Sequence, residues 1–171
     1  MGSPRGSGSF RMFWVGRLTR LPEMRYYPDM TLASSNTRVG ALNHVGLAVV
    51  SIEESLLQFY DLLDSPQAAR ILVNEEHGVR GAFIEQGETH IELLQPLRAD
   101  SVIGRFLERH GEGIHHMAFT VDDVDVKARE LESLGIPIIT GPREGFTGRI
   151  AFTDPSKTHG ALLEFVTPYE H

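Results

Sequence analysis

NHVGLAVV (residues 43–50) and HHMAFTVD (residues 115–122) are one strand written twice, 72 residues apart. The same offset carries IELLQP (91–96) onto LEFVTP (163–168). Between these segments Ile52, Leu56, Phe59 and Leu62 fall on Val124, Ala128, Leu131 and Leu134 without a gap. Self-similarity at a fixed offset marks a duplicated supersecondary unit, and it decides the fold before any single residue is considered.

Each half reads in the same order. His44 to Val50 alternates as a half-buried strand does. Ser51-Ile-Glu-Glu54 is a capping box that opens a helix running to about Leu63, where Asp64-Ser-Pro66 ends it. Strands are predicted over 68–76, 79–85 and 89–96, with Glu75-Glu-His-Gly78 and Gln86-Gly-Glu88 as turns. A linker helix from Asp100 to about His110 leads to a strand over 114–121, a helix over Asp123–Leu134 stopped by Gly135, and strands near 136–139, 148–153 and 160–167. The expected fold is α+β: two tandem βαβββ modules whose curved mixed sheets enclose a metal-containing cleft. Module one is assigned to 41–97, the linker helix to 98–112 and module two to 113–168, within a domain over 41–171.

Composition narrows the chemistry. The 171 residues contain no cysteine, so any metal is held by nitrogen and oxygen, and thiol chemistry is excluded. No run reaches the roughly 20 apolar residues of a membrane span. Residues 1–40 carry six Arg against Glu23 and Asp29, a balance of +4, which leaves −11 of the total −7 on residues 41–171. A domain that acidic is a poor nucleic-acid binder. The basic segment reads as a flexible leader, with a mitochondrial transit peptide as the alternative. Two Lys against 14 Arg suit a GC-rich bacterial genome, hence cytoplasm before mitochondrial matrix.

The offset also sends His44 to His116 and Glu92 to Glu164, so both His-to-Glu spacings are 48. A lone strand histidine is usually structural. Here, however, each glutamate sits between apolar neighbours, Ile91 and Leu93 or Leu163 and Phe165, which point to the opposite face. The carboxylate is therefore turned inward, where burying it alone is costly. Two units related by a pseudo-twofold would deliver two imidazoles and two carboxylates to one divalent ion. His115 lies on the other face of its strand and is given a structural or supporting role. His77, on a turn bordering the cleft, and Arg143 and Arg149 of GPREGFTGR (141–149) are candidate substrate contacts.

These segments resemble the vicinal oxygen chelate (glyoxalase) superfamily. Within it LNHVGLAV, EEHGVRGAFI, the run from HIELLQP through GEGIHHMAFTVDDVD, and GALLEFV resemble the methylmalonyl-CoA epimerase family, over about residues 41–168. That resemblance implies an isomerase of propionate metabolism that interconverts (R)- and (S)-methylmalonyl-CoA by proton transfer at carbon 2, through an enolate stabilised by a divalent metal. It implies His44, Glu92, His116 and Glu164 as ligands, Co(II) or Mn(II) as the ion with Zn(II) or Ni(II) as alternatives, an acyl-CoA as the small-molecule partner, and a homodimer. Because the family's usual catalytic carboxylate is missing here, Glu164 is taken as both ligand and base, with a metal-bound water as the alternative. The alternatives are a glyoxalase-like lyase or isomerase and a non-catalytic metabolite- or drug-binding protein of the same fold.

Two positions depart from the family pattern. Its usual second carboxylate falls on Gly81, and Glu85 is about 13 Å further along the strand. A glutamate restored at Gly81 is expected to be tolerated or even to raise the rate. The Phe-Leu-His-Pro-Lys run reads Phe152-Thr-Asp-Pro-Ser156.

Overall fold

The computed structural model describes residues 37–64 and 69–170. Its elements are β1 (Val39–Ala48), α1 (Ile52–Leu63), β2 (Ile71–Asn74), β3 (Val79–Gln86), β4 (Thr89–Pro96), α2 (Val102–His110), β5 (Gly113–Val121), α3 (Val124–Ser133), β6 (Ile138–Glu144), β7 (Gly148–Thr153) and β8 (Leu163–Pro168). The basic leader lies outside the described residues up to residue 36, and β1 already begins at Val39, ahead of the boundary drawn at 41. Ser65, Pro66 and His171 also lie outside them.

The helix starts follow from capping. Ser51 Oγ accepts the Glu54 N–H at 3.2 Å and Asp123 Oδ1 accepts that of Val126 at 2.9 Å, each satisfying an orphan donor of a first turn. Gly135, at φ 77°, supplies the left-handed residue that stops α3.

One mixed eight-stranded sheet runs β2-β3-β4-β1-β5-β8-β7-β6. The order is a palindrome of modules, joined where β1 pairs antiparallel with β5. There Val45 faces Met117, His44 faces Ala118 and Gly46 faces His116. Each pair maps onto itself or its neighbour under the 72-residue offset, so the pseudo-twofold passes through Val45 and Met117. Within each module the first and last strands pair in parallel, Gly46 beside Glu92 and Ala118 beside Glu164. Two strands far apart in sequence are thus adjacent, which brings each His and its Glu onto one face.

The sheet curls into a half-barrel with α1 and α3 on the convex side. Val49, Ile52, Ala82 and Leu93 form the core under α1. Val121, Val124, Ala151 and Phe165 form its counterpart under α3. Side chains alternate along a strand, so burial of Leu93 and Phe165 on the convex side sends Glu92 and Glu164 to the concave side. Helix α2 belongs to neither repeat. Its Ile103 packs on Ala48 and Leu94 and covers one end of the concave face.

Besides β1, three strands differ from expectation, β8 by starting at Leu163 and not at 160. β2 is confined to Ile71–Asn74, and β6 runs on through Pro142 to Glu144 instead of stopping at 139. A proline is tolerated there because β6 is an edge strand, and the pairing with β7 shifts register between Thr140 and Arg143.

Gly46 is the tightest point of the seam. A Cβ there would lie 2.2 Å from His116 Cε1, so the imidazole lies flat against the β1 backbone. Gly46→Ala is expected to lower stability by about 1–3 kcal/mol in urea unfolding, as overpacking does. Wild-type stability in that variant would mean the ring does not rest on β1.

Candidate metal centre

The four side chains singled out by the repeat meet. His44 Nε2 lies 3.4 Å from Glu92 Oε2 and 3.4 Å from Glu164 Oε2. His116 Nε2 lies 3.4 Å and 2.8 Å from the same two oxygens, and the two Nε2 atoms are 3.0 Å apart. All four residues are at most 5% exposed. His44, Glu92 and His116 offer ligand atoms that all lie within 4.8 Å of one another.

The donor set fits a divalent ion. Edges of 2.8–3.4 Å are the spacing of neighbouring ligand atoms around an ion about 2.0–2.2 Å from each. Two neutral imidazoles and two carboxylates also cancel its charge. Phe83 and Phe152 stand edge-on to His44 and His116, with ring centroids at 5.9 and 5.4 Å, and exclude water from the ring faces. They occupy equivalent places, Phe83 opposite Glu92 and Phe152 opposite Glu164 in their ladders.

Buried together, the groups perturb one another. Burial disfavours a charge on His116, but its hydrogen bonds to Glu164 and Glu92 outweigh that and raise its pKa to about 9. Burial likewise works against a charged Glu164, and the hydrogen bonds from His116 and His44 overcome it, lowering the pKa to about 2. Neighbouring His115 is held down at about 4, by burial first and then by the His116 charge.

Above the centre is a cavity of about 300 Å³ lined by both modules. Its apolar walls include Val79, Leu94, Ile103, Phe146 and Ile150, and among the described residues its charged wall residue beyond the four candidate ligands is Arg143. Arg143 Nε is buried without a hydrogen-bond partner, while Nη1 donates to the Glu144 carbonyl at 3.0 Å. Burial lowers the pKa of this guanidinium, and Glu164 and Glu76 oppose the shift. His77 lines the same cavity, and burial, then Arg143, lowers its pKa.

Arg149, expected beside Arg143, is not in the cavity. Ile150 and Phe152 face inward on β7, so the intervening alternation turns Arg149 to the convex side. There it forms a two-point bridge to Asp125 of α3, at 2.7 and 3.0 Å. His115 does line the cavity, contrary to the expectation that it faces away, and its Nδ1 is 3.0 Å from His116 Nδ1.

Sequence reasoning did not find Phe146. A Cβ on Gly81 would sit 2.7 Å from Phe146 Cε2, so the ring occupies the place a side chain at 81 would take. A glutamate at Gly81 therefore requires the Phe146 ring to move.

A profile of the Glyoxalase/Bleomycin resistance protein/Dioxygenase superfamily matches residues 43–153. Protein YqjC of Bacillus subtilis is 36% identical over 129 residues, 74% of this chain and 91% of its own. The ethylmalonyl-CoA/methylmalonyl-CoA epimerase of Cereibacter sphaeroides is 34% identical over 130 residues, 74% of this chain and 96% of its own. The crystal structure of methylmalonyl-CoA epimerase from Mycobacterium tuberculosis superimposes with a TM-score of 0.73 at 32% identity, covering 82% of this chain and 95% of that one. The chain belongs to the glyoxalase, bleomycin resistance protein and dioxygenase superfamily, whose architecture is the vicinal oxygen chelate fold. Within it, the chain is an enzyme of the epimerase and racemase class.

Two measurements test this centre. His116 holds a proton that an ion must displace, and a raised pKa means that this proton stabilises the apoprotein fully below about 6.5 and ceases to do so as pH rises through about 9. Chelator competition between pH 6.5 and 8.5 should therefore show affinity for Mn(II) or Co(II) rising by about tenfold per pH unit. A flat profile would mean that His116 binds no ion. Gly81→Glu should destabilise the fold by about 1–3 kcal/mol, and Phe146→Ala in the same chain should recover most of that loss. Additive losses in urea melts would show that the two positions do not touch.

Proposed function

We propose that the chain is a metal-dependent epimerase that interconverts the (R) and (S) forms of methylmalonyl-CoA by moving the proton at carbon 2. The observation that carries this reading is the convergence of His44, Glu92, His116 and Glu164 on one point at the floor of a largely apolar cavity that also presents Arg143. A divalent ion held by these four, Co(II) or Mn(II) first, supplies Lewis acidity to the thioester and carboxylate oxygens as negative charge develops.

The chain's own residues do the rest. The cavity, about 300 Å³, admits the acyl head and the start of the pantetheine arm and leaves the nucleotide outside. Its apolar walls exclude water, which strengthens every charge interaction inside. Arg143 lines that cavity as a guanidinium and is the group suited to hold the substrate carboxylate. Glu164 is the carboxylate we assign to take the proton from carbon 2. Its return to the opposite face needs another donor. Among the described residues, the other imidazoles lining the cavity are His77 and His115, and a ring N–H of one of these is the donor we assign. A homodimer and a cytoplasmic location complete the reading, supported by the family resemblance and by the Arg-rich, Lys-poor composition. Among the described residues no helix is long and apolar enough to cross a membrane.

Incubation of methylmalonyl-CoA in deuterated water tests the reading. An epimerase washes deuterium into carbon 2, and Glu164→Gln should slow that exchange by about 100-fold or more. A wild-type protein that binds the thioester without exchange is a binding protein. Exchange at the normal rate in Glu164→Gln, with metal still bound, would remove Glu164 from the proton path.

A further inference from the structure

Each ligand imidazole is held from behind by the residue that precedes it. His44 Nδ1 lies 2.8 Å from Asn43 Oδ1, and His116 Nδ1 lies 3.0 Å from His115 Nδ1. Successive side chains on a regular strand point to opposite faces and do not meet in this way. The β1–β5 ladder explains how they do. Leu42 pairs with Phe119 and His44 with Ala118, which leaves Asn43 as an extra residue on β1. Gly46 pairs with His116 and Leu47 with Ile114, which leaves His115 as an extra residue on β5. The two irregularities are images of each other under the 72-residue offset. Bulges cost ladder hydrogen bonds and serve to re-aim a side chain. A matched pair, one beside each ligand, is a built feature of the seam.

We propose that Asn43 and His115 are positioning residues. Each accepts the Nδ1–H of the following histidine, so that His44 and His116 both present a bare Nε2 to the ion. Binding an ion at Nε2 requires this protonation pattern. Nε2 of both rings faces the carboxylates and the other ring, so the lone pair needed by the ion is there and the proton is on Nδ1. A carboxamide oxygen can only accept, which sets His44 unambiguously. His115 accepts when its own proton is on Nε2. The two holders are anchored differently. Asn43 Nδ2 donates across the seam to Thr120 Oγ1 at 3.3 Å, whereas the His115 ring stands edge-on to Phe106 of α2, centroids 5.0 Å apart. The linker helix therefore sets the angle of one ligand, and the repeat itself sets the other.

The repeat also supplies the control, because His115→Asn transplants module one's holder into module two. Apoprotein is titrated with Mn(II) and with Co(II) in competition with a chelator, and its melting temperature is recorded without metal. His115→Leu and Asn43→Leu, which keep bulk but cannot accept, should each weaken binding by about 10–100-fold. His115→Asn should stay within about threefold of wild type. A merely structural role would lower the apoprotein melting temperature and leave affinity unchanged, and that result overturns the inference. So does a His115→Asn variant that binds as poorly as His115→Leu. The inference rests on the metal centre and not on the substrate. A wild type that binds neither ion overturns both, whereas a wild type that binds metal but lacks exchange activity refutes only the epimerase reading.

Discussion

Two carboxylates and two imidazoles, each almost fully buried and within 3.4 Å of another of the four, form a group that the protein interior tolerates only if something shared lies between them. A proton serves in part, which is why His116 is driven up and Glu164 down. A divalent ion serves better, since it satisfies all four donors at once. The rest of the architecture follows from delivering these groups to one place. The seam between β1 and β5 must hold one register, because a slip of one residue would put the two histidines on opposite faces of the sheet. Gly46 locks that register by leaving room for the His116 ring. The parallel pairings β1–β4 and β5–β8 then need crossover connections, and α1 and α3 begin those connections while covering the convex face.

How much of this was legible depends on where the offset holds. From β1 through the helix, and again at the last strand, the modules align at 72 without a gap, and these stretches contain all four ligands. Strands β3 and β7 align at 69, as Ala82 with Ala151 and Phe83 with Phe152 make plain. Module two has three fewer residues before its third strand and three more after it, where a short 3-10 turn at Pro155–Lys157 intervenes. The two changes cancel, so the ligands remain in phase while the aromatic guards fall out of it. Arg149 was misplaced for a related reason. Once Phe152 is known to face inward, alternation turns 149 outward, but GPREGFTGR does not look like two strand ends. The seating of Phe146 on Gly81 joins residues of different modules, and no local pattern encodes it.

A ligand set with twofold symmetry cannot by itself handle an asymmetric substrate, so the walls must break the symmetry. They do so at identifiable places. Across the outer ladders, Arg143 stands opposite Ile150 and its structural counterpart Leu72 stands opposite Gly81. Module two thus places a guanidinium at the position where module one carries an aliphatic side chain. Ile150 occupies its own position, while Gly81 yields its place to Phe146 from the other module. Helix α2 closes only one end, through Ile103 and the Phe106–His115 contact. A malonyl thioester has the same kind of asymmetry, with an anionic end, a neutral carbonyl and an apolar branch on one carbon. In the proposed reaction a cation on one side and phenyl and aliphatic groups on the other would orient such a head group about a fixed charge, and the duplicated frame leaves these few unpaired positions to choose the orientation.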